Sequence, residues 1–513
     1  MLKRIIDFAL DNRWLVLAAL ALMIAGGLYV AMHIPIDAFP DLTNNQVVVI
    51  TECPGFSPLE VEQSVTFPIE TAVMGLPSTQ GVRSISKLGL STVTIIFEDH
   101  VNTWLARQMV NERVQEVRSR LPEGLEPTLG PVATAFGEVY QYTVEGDGHS
   151  LMDRKTLHDW QMRFQLRTVP GVNEVNSWGG ETRQYMVEVD PLHLQRYGLT
   201  IRDVFERLRD NNANFGGGFI EHAAEQYTVR GLGRTQSLED IENIVLTAHN
   251  GTPVLVRDVA RVYVGAIPRQ GAVLRDAKGE TVSGMVIMLK GENGLRVIER
   301  AKEKLASLRL PEGVKIVPFY DQSEVIKGTI RTVTRNLIEA GLLVVAVLLL
   351  FLGNIRAALI VASVIPVSLL FGFLGMAAFG ISANLMSLGA IDFGMVVDGA
   401  VVMMENSVRR LAHSRSPNRL EVIRDAAKEV ARPIVFAVAI IIAVYFPIFT
   451  LEDLEGRMFR PMAITVCSML VGSLLLALTV VPVLAGFALK GPIIEKEEGW
   501  FSRLRTAYRR SLS

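Results

Sequence analysis

Residues 389–406 read GAIDFGMVVDGAVVMMEN, and the interpretation of the whole chain depends on this stretch. It is apolar apart from Asp392, Asp398, Glu405 and Asn406. A carboxylate near the centre of a bilayer costs about 2.5–3.5 kcal/mol on insertion scales. Several acids in one membrane-spanning segment therefore indicate a function in moving protons or ions.

The spacing of these acids predicts separate stations along one helix. Asp398 and Glu405 are seven residues apart, which places them on one helix face about 10.5 Å apart along the axis. Asp392 precedes Asp398 by roughly 9 Å and lies about 120° around the helix. We predict a proton or cation relay. Permanent structural pairing and direct metal ligation are the alternatives, and Glu405 also suits a solvated position near the helix end.

Small and thioether side chains accompany the acids. Close approach of neighbouring helices, which would keep the acids away from lipid, is predicted at Gly389, Gly394 and Gly399. Methionine recurs in the apolar runs, as at Met403 and Met404. A thioether suits Cu(I), but Met is also a common filler in apolar helices. We favour the filler role here, because ionised carboxylates dominate the same helix.

The composition of the 513 residues places the apolar surplus in a few long runs. The chain is 49% hydrophobic and 20% charged, against roughly 25% charged for an ordinary soluble protein. The apolar runs are residues 14–32, 337–355, 357–391, 433–451 and 461–489. Each can cross a hydrocarbon core of about 30 Å. They exclude a soluble enzyme, a disordered chain and a nucleic-acid binder, and the absence of a GxxxxGK loop predicts no nucleotide cofactor.

The runs predict six transmembrane helices. The first, at the end of residues 1–33, is too long for the core of a signal peptide and is predicted to be a retained anchor. The run 357–391 is too long for one helix and breaks at residues 380–384, giving spans at about 357–379 and 384–405. Residues 336–489 then hold spans two to six.

Charge predicts the orientation. The loop 409–432 carries seven basic residues against three acids, and the tail after residue 489 is basic too. Short basic loops stay in the cytoplasm. The N-terminus, this loop and the tail are therefore predicted inside, and residues 34–335 outside, which in a bacterium is the periplasm. Residues 490–513 are predicted to form an amphipathic helix on the inner leaflet.

The pattern of residues 34–335 predicts an α+β region that contains a duplication. Strands near 46–51, 81–88 and 91–97 alternate with helices in the order β-α-β-β-α, which is typical of a ferredoxin-like unit. Capping residues such as Ser57 and Thr200 mark helix starts. A second unit repeats this order with strands at about 139–144, 172–177 and 184–189. An inserted subdomain is predicted at about 215–275.

Few residues of the outer segment suggest a metal site. Its histidines show no ligand spacing, and the metal ligands stay unknown. Glu138, beside Phe136 and Gly137, is a candidate cation contact, with an exposed charge at a strand end as the alternative. Cys53 and Cys467 are predicted to be unpaired thiols.

The predicted order is one span, about 300 outer residues of split βαβ units, and five further spans, with the acids in the fourth of the six spans. This pattern resembles the N-terminal half of a resistance-nodulation-division (RND) transporter. The stretches IPIDAFP at 34–40 and PGFSPLEVE at 54–62 support the resemblance. The string DFGMVVDGAVVMMEN at 392–406 resembles the heavy-metal efflux branch, and within it the Czc-type exporters of divalent cations.

The resemblance implies proton-driven antiport of Zn, Co, Cd or Ni ions, with Asp392, Asp398 and Glu405 needed for coupling. It also implies a homotrimer in the bacterial inner membrane, working with a periplasmic adaptor protein and an outer-membrane channel. A second half with six more spans would complete such a transporter. It implies no enzyme activity and no nucleic-acid partner.

Three other functions stay open on the sequence. An RND exporter of drugs or other amphiphiles needs an aromatic cleft, and only 7% of the residues are aromatic. An exporter of monovalent Cu or Ag would lack the acid at position 392. A membrane scaffold or secretion assistant that transports nothing is the alternative from another class.

Overall fold

The computed structural model describes residues 2–37, 41–134, 136–249, 251–269, 271–352, 354–389, 393–414 and 418–489. The predicted tail helix at 490–513 and Asp392 lie outside the described residues.

The chain begins with two helices, α1 (Leu2–Asp11) and α2 (Arg13–His33). One face of α1 is fully buried at Ile6 and Leu10, against the membrane-capable helices. The helix α2 is apolar between its terminal residues Arg13 and His33 and ends shortly before the short strand β1 (Ile36–Asp37).

A first α+β unit follows, with a four-stranded antiparallel sheet in the order β3-β4-β2-β5. Its elements are β2 (Asn45–Glu52), α3 (Pro58–Val61), a π-helical turn (Glu62–Thr66), α4 (Phe67–Val73), β3 (Thr79–Lys87), β4 (Leu90–Phe97), α5 (Thr103–Val117), a 3₁₀ turn (Arg118–Arg120) and β5 (Thr128–Leu129). Burial alternates along β2, so that Val47 and Val49 face the helices. The predicted cap at Ser57 is confirmed, and it forms a capping box with Glu60.

The second α+β unit is divided by a long insertion. Before it come β6 (Glu138–Gly146), α6 (Leu151–Leu157), a π-helical turn (His158–Met162), α7 (Arg163–Arg167) and β7 (Val172–Trp178). The insertion contains β8 (Arg183–Val189), α8 (Pro191–Tyr197), α9 (Ile201–Asp210), β9 (Phe215–His222), β10 (Glu225–Gly231), α10 (Leu238–Glu242), β11 (Val245–His249), β12 (Thr252–Leu255), α11 (Val256–Val259), β13 (Ala260–Ala266) and β14 (Val273–Leu274). After it come β15 (Glu280–Met288), α12 (Gly294–Ser307) and β16 (Val314–Asp321).

The strand partners correct one expectation about the second unit. We predicted that the strand at 184–189 follows 172–177 as the next strand of the duplicated unit. Instead β8 pairs antiparallel with β13, more than 70 residues later in the chain. The neighbour of β7 is β15, which also pairs with β6, and β16 lies on the other side of β6. The sheet order β7-β15-β6-β16 matches that of the first unit, with the insertion where the first unit has the short β3–β4 turn.

Seven helices and a short strand complete the described chain: α13 (Gln322–Leu352), α14 (Ile355–Ala378), β17 (Ala383–Asn384), α15 (Leu385–Gly389), α16 (Phe393–His413), α17 (Arg419–Phe449), α18 (Asp453–Leu478) and α19 (Val480–Ala488). The predicted break at 380–384 is present, with Gly380 at φ +66°. The strand β17 pairs in parallel with β1 and so ties this break to the end of α2.

Five described segments are long and apolar enough to cross a membrane: Arg13–His33, Ile355–Ala378, Met386–His413, Arg419–Phe449 and Leu454–Ala488. The predicted second span at 337–355 falls on α13 and is not among them, so the count of six stays a prediction. The molecule therefore combines an α+β region with several membrane-capable helices.

Candidate functional site

The acid-bearing helix α16 has one buried face and one exposed face. The buried face includes Val396, Ala400 and Met403, all at most 3% exposed. The exposed stripe consists of Gly394, Asp398, Val402, Glu405 and Arg409, at the three- and four-residue spacing of one helix face. Asp398 and Glu405 thus lie on the same side of α16, as predicted from their spacing.

Neighbouring helices hold the buried face of α16 closely. A Cβ added at Gly399 would lie 3.0 Å from Cγ2 of Ile434 on α17 and 3.7 Å from Cβ of Ala477 on α18. The buried Ser473 hydroxyl on α18 donates a hydrogen bond to the carbonyl oxygen of Val396. At Gly389, in contrast, no described atom comes within 4 Å of an added Cβ.

The side-chain amide of Asn406, at the end of the stretch 389–406, is hydrogen-bonded through both its nitrogen and its oxygen. Asn406 is 4% exposed and donates hydrogen bonds to the Ala426 carbonyl (2.9 Å) and the Glu429 carboxylate (3.1 Å) on α17. Its carbonyl oxygen accepts one from Arg409 (2.8 Å), and Arg410 also binds Glu429 (2.8 Å). The rotation of α16 about its axis is therefore fixed relative to α17.

Two cavities flank the helix break between α14 and α15. One, of about 490 Å³, is largely apolar and is lined by residues that include Tyr29, Ile34, Phe136 and Met288. The other, of about 680 Å³, has a mixed polar and apolar lining and lies between the first α+β unit and the start of α18. Residues 380–382 line both.

The predicted outer contact Glu138 lies at the start of β6. Its side chain is exposed and accepts a hydrogen bond from the Gln141 amide at 3.3 Å. Among the residues that the structure describes, no group of three or more His, Cys, Asp or Glu side chains could hold a metal ion.

A buried polar cluster in the second unit escaped the sequence analysis. His158 is fully buried, with Nε2 3.0 Å from the Tyr142 hydroxyl and Nδ1 3.3 Å from the Asp159 carboxylate. Lys155 approaches the same carboxylate at 3.6 Å. Burial lowers the pKa of His158 and raises that of Tyr142. Burial acts to raise the pKa of Asp159, but the hydrogen bond from His158 and the charge of Lys155 outweigh it and keep it low.

A sequence profile of the AcrB/AcrD/AcrF family matches residues 5–513. The chain belongs to this family of RND transporters. It is 47% identical to the cation efflux system protein CzcA of Alcaligenes sp. (strain CT14), over 97% of this chain and 48% of that protein. It is 39% identical to the nickel and cobalt resistance protein CnrA of Cupriavidus metallidurans, over 99% of this chain and 51% of that protein.

The family assignment extends to the three-dimensional structure. The crystal structure of a heavy metal efflux pump superposes with a TM-score of 0.83 and 37% identity, covering 95% of this chain and 49% of that one. The chain spans about half the length of the curated relatives it matches. The RND assignment and the membrane-protein assignment made from the sequence are thereby confirmed.

Proposed function

We propose that this chain is the N-terminal half of a proton-driven exporter of divalent heavy-metal cations of the Zn, Co, Cd and Ni class. The observation that carries the proposal is the stripe on α16, where Asp398 and Glu405 share the exposed side of a membrane-capable helix. The similarity to relatives named for cobalt, zinc, cadmium and nickel resistance supports the choice of cargo.

The acids act in the proposal as stations for protons. An ionised carboxylate at membrane depth is unfavourable, and proton uptake removes that penalty. Asp392, Asp398 and Glu405 would each take up a proton from one side and release it to the other. The buried face of α16 is fixed against α17 and α18. A change of charge on its exposed face would therefore act on the elements that pack against that exposed face.

The remaining architecture follows the RND pattern in this proposal. Six spans, ferredoxin-like units and a periplasmic location of residues 34–335 are part of it, and Glu138 is proposed as a cation contact on that side. The hairpin β9–β10 supports the homotrimer, since every residue of β9 is exposed, including Phe215 and Phe219. Such an apolar arm suits contact with a second copy. The adaptor and the outer-membrane channel complete the export path.

The apolar cavity favours one competing function. Its aromatic and aliphatic lining, which includes Tyr29 and Phe136, suits an amphiphile rather than a bare metal ion. Export of drugs or other amphiphiles is therefore the second candidate.

Substrate competition distinguishes the two candidates. Cells that depend on the complete transporter are loaded with an efflux dye and challenged with Zn²⁺, and their growth on Zn²⁺ is measured separately. If the transporter exports metal ions, cells that carry it tolerate more Zn²⁺ than cells that lack it. Dye efflux is then the same in both kinds of cell. Dye efflux that requires the transporter, without any gain in metal tolerance, would contradict the proposal.

A further inference from the structure

The cavity of about 680 Å³ lies where two membrane-capable segments, Ile355–Ala378 and Leu454–Ala488, meet the first α+β unit. The helix break and α18 supply its apolar lining, which consists of Phe379, Ile381, Pro461 and Ile464. The first α+β unit supplies polar residues, among them Gln80 and Glu98. An apolar and a polar wall within one cavity match the boundary between the hydrocarbon core and the headgroups of a bilayer.

The charged lining of this cavity is only partly neutralised by neighbouring side chains. It consists of four carboxylates and two guanidinium groups, from Asp41, Glu98, Asp99, Glu452, Arg457 and Arg460. Three of the carboxylates have partners: Asp99 pairs with Arg457 (2.5 Å), Asp41 with Lys290 (3.2 Å) and Glu98 with His100 (3.1 Å). Within the part of the chain that the structure describes, neither Glu452 nor Arg460 takes part in an ion pair. The cavity thus offers one anionic and one cationic group to a ligand.

The Arg460 guanidinium is held at the cavity by the start of its own helix. It donates a hydrogen bond to the Leu451 carbonyl at 2.6 Å. Glycine at position 456 leaves room for this bond, because a Cβ added there would lie 2.5 Å from the Leu451 carbonyl oxygen and 3.4 Å from Nε of Arg460. The other N–H groups of Arg460 have no acceptor among the described residues. They are therefore available to an anionic group in the cavity.

A buried donor also lies at this cavity. Asn384 is one of its lining residues and is 1% exposed. Its carbonyl oxygen accepts the backbone N–H of Ser387 at 2.8 Å, but its amide nitrogen has no hydrogen-bond partner in the described ranges. A buried donor without an acceptor is unfavourable, and a ligand oxygen supplies that acceptor.

The combination of groups favours a ligand that carries both charges. No three metal-ligating side chains converge in the described part of the chain, so the lining does not favour a bare metal ion. A phosphate matches the guanidinium and amide donors of Arg460 and Asn384, and an ammonium matches the Glu452 carboxylate. An anionic headgroup without an ammonium would leave Glu452 unpaired and face it with a like charge.

We propose that this cavity binds the headgroup of a zwitterionic phospholipid with a primary ammonium, of the phosphatidylethanolamine type, from the outer leaflet. The phosphate binds Arg460 and Asn384, the ammonium binds Glu452, and the acyl chains leave along the apolar wall. The proposal rests on the outer location of residues 34–335 in the proposed function and adds a bound lipid at that side.

The test measures lipid binding to the complete transporter and does not depend on transport. The purified, delipidated transporter is titrated with phosphatidylethanolamine or phosphatidylglycerol, and bound lipids are counted by native mass spectrometry. The parent protein should bind one phosphatidylethanolamine per copy of this chain, at least about tenfold more tightly than phosphatidylglycerol. Equal affinity for the two lipids, or tighter binding of phosphatidylglycerol, would overturn the proposal.

Two charge variants locate the headgroup. Arg460→Ala removes the phosphate contact and Glu452→Gln removes the ammonium contact, and each should weaken phosphatidylethanolamine binding by about tenfold, roughly the loss of one charge-assisted hydrogen bond. Arg331→Ala and Glu455→Gln, at exposed residues outside the cavity lining, are matched controls and should stay within about twofold of the parent. Unchanged binding in Arg460→Ala and Glu452→Gln would refute the site.

A third variant tests the cavity without removing a charge. Ser382→Trp places a large side chain in the lining and should abolish the bound phosphatidylethanolamine. Full binding in Ser382→Trp would refute the cavity as the site even if a charge variant fails to fold. Asp398→Asn should keep the lipid while it loses proton flux, so a failure of the lipid site and a failure of the proton relay are seen separately.

Discussion

His158 shows at the scale of one residue how burial sets the chemistry of the α+β region. Its ring is enclosed between Tyr142, Asp159 and the strand β15, where a Cβ added at Gly284 would lie 2.5 Å from Nε2. A charged imidazolium is unfavourable in such surroundings, because burial lowers the pKa of His158. The neutral ring is therefore part of the folded state.

This burial predicts that the α+β region loses stability in mild acid. The pKa of His158 is lower folded than unfolded, where it is 6.5, so the unfolded chain binds the proton first. Stability is full above about pH 6.5 and falls as the pH drops below it, toward the folded pKa. Thermal unfolding followed by tryptophan fluorescence should show a lower midpoint at pH 5.5 than at pH 7.5.

The variant His158→Gln isolates this effect, because Gln keeps a polar group near Tyr142 and does not titrate. Its unfolding midpoint should vary less between pH 7.5 and 5.5 than that of the parent. An equally steep dependence in both proteins would assign the effect to other groups.

At the scale of elements, the packing of α16 against α17 and α18 depends on close contact at one glycine. Gly399 faces Ile434 and Ala477, whereas no described side chain lies near Gly389. We expect Gly399→Leu to destabilise the membrane helices by about 1–3 kcal/mol through overpacking. Gly389→Leu is the matched control and should stay within about 0.5 kcal/mol. Thermal unfolding in detergent measures both, and equal midpoints for the two variants would contradict this packing.

Elements defined by local signals could be predicted from the sequence, and those defined by distant partners could not. The helix break near Gly380 and the cap at Ser57 depend on neighbouring residues and were predicted correctly. The partner of the strand β8 is more than 70 residues away, so its alternating pattern could not show which sheet it joins.

The candidate site divides in the same way. Asp398 and Glu405 could be found because acids are conspicuous in an apolar run. The hydrogen bond from Ser473 to the Val396 carbonyl joins α18 to α16 across 77 residues, and no local pattern indicates it. The burial of His158 likewise depends on β15, across the whole insertion.

At the scale of the whole molecule, a few contacts tie the membrane-capable helices to the α+β region. Arg457, at the start of α18, binds the Asp99 carboxylate (2.5 Å), the Asn44 amide oxygen (2.7 Å) and the Leu42 carbonyl. Arg296 on α12 donates to the Met32 carbonyl at the end of α2 (2.7 Å). Motion of the helices would reach the first unit through Arg457 and the second through Arg296.

The contacts of Arg457 predict that replacing Arg457 and replacing Asp99 lower the stability of the protein by different amounts. Arg457→Gln loses three acceptors and should destabilise more than Asp99→Asn, with a coupling between the two of about 0.5–1 kcal/mol in a double-mutant cycle. Arg113→Gln, which breaks an exposed pair with Glu116 inside α5, is the control and should change little. Additive effects of the two substitutions would show that the Arg457–Asp99 pair contributes nothing.

Proton-driven export requires the carboxylates of α16 to carry protons, and Asp398→Asn tests this most directly. In proteoliposomes of the complete transporter, Zn²⁺-dependent proton flux should fall by at least about 100-fold in Asp398→Asn. Asp276→Asn, a matched change at an exposed turn residue, should leave the flux within about twofold of the parent. Undiminished proton flux in Asp398→Asn would contradict the relay.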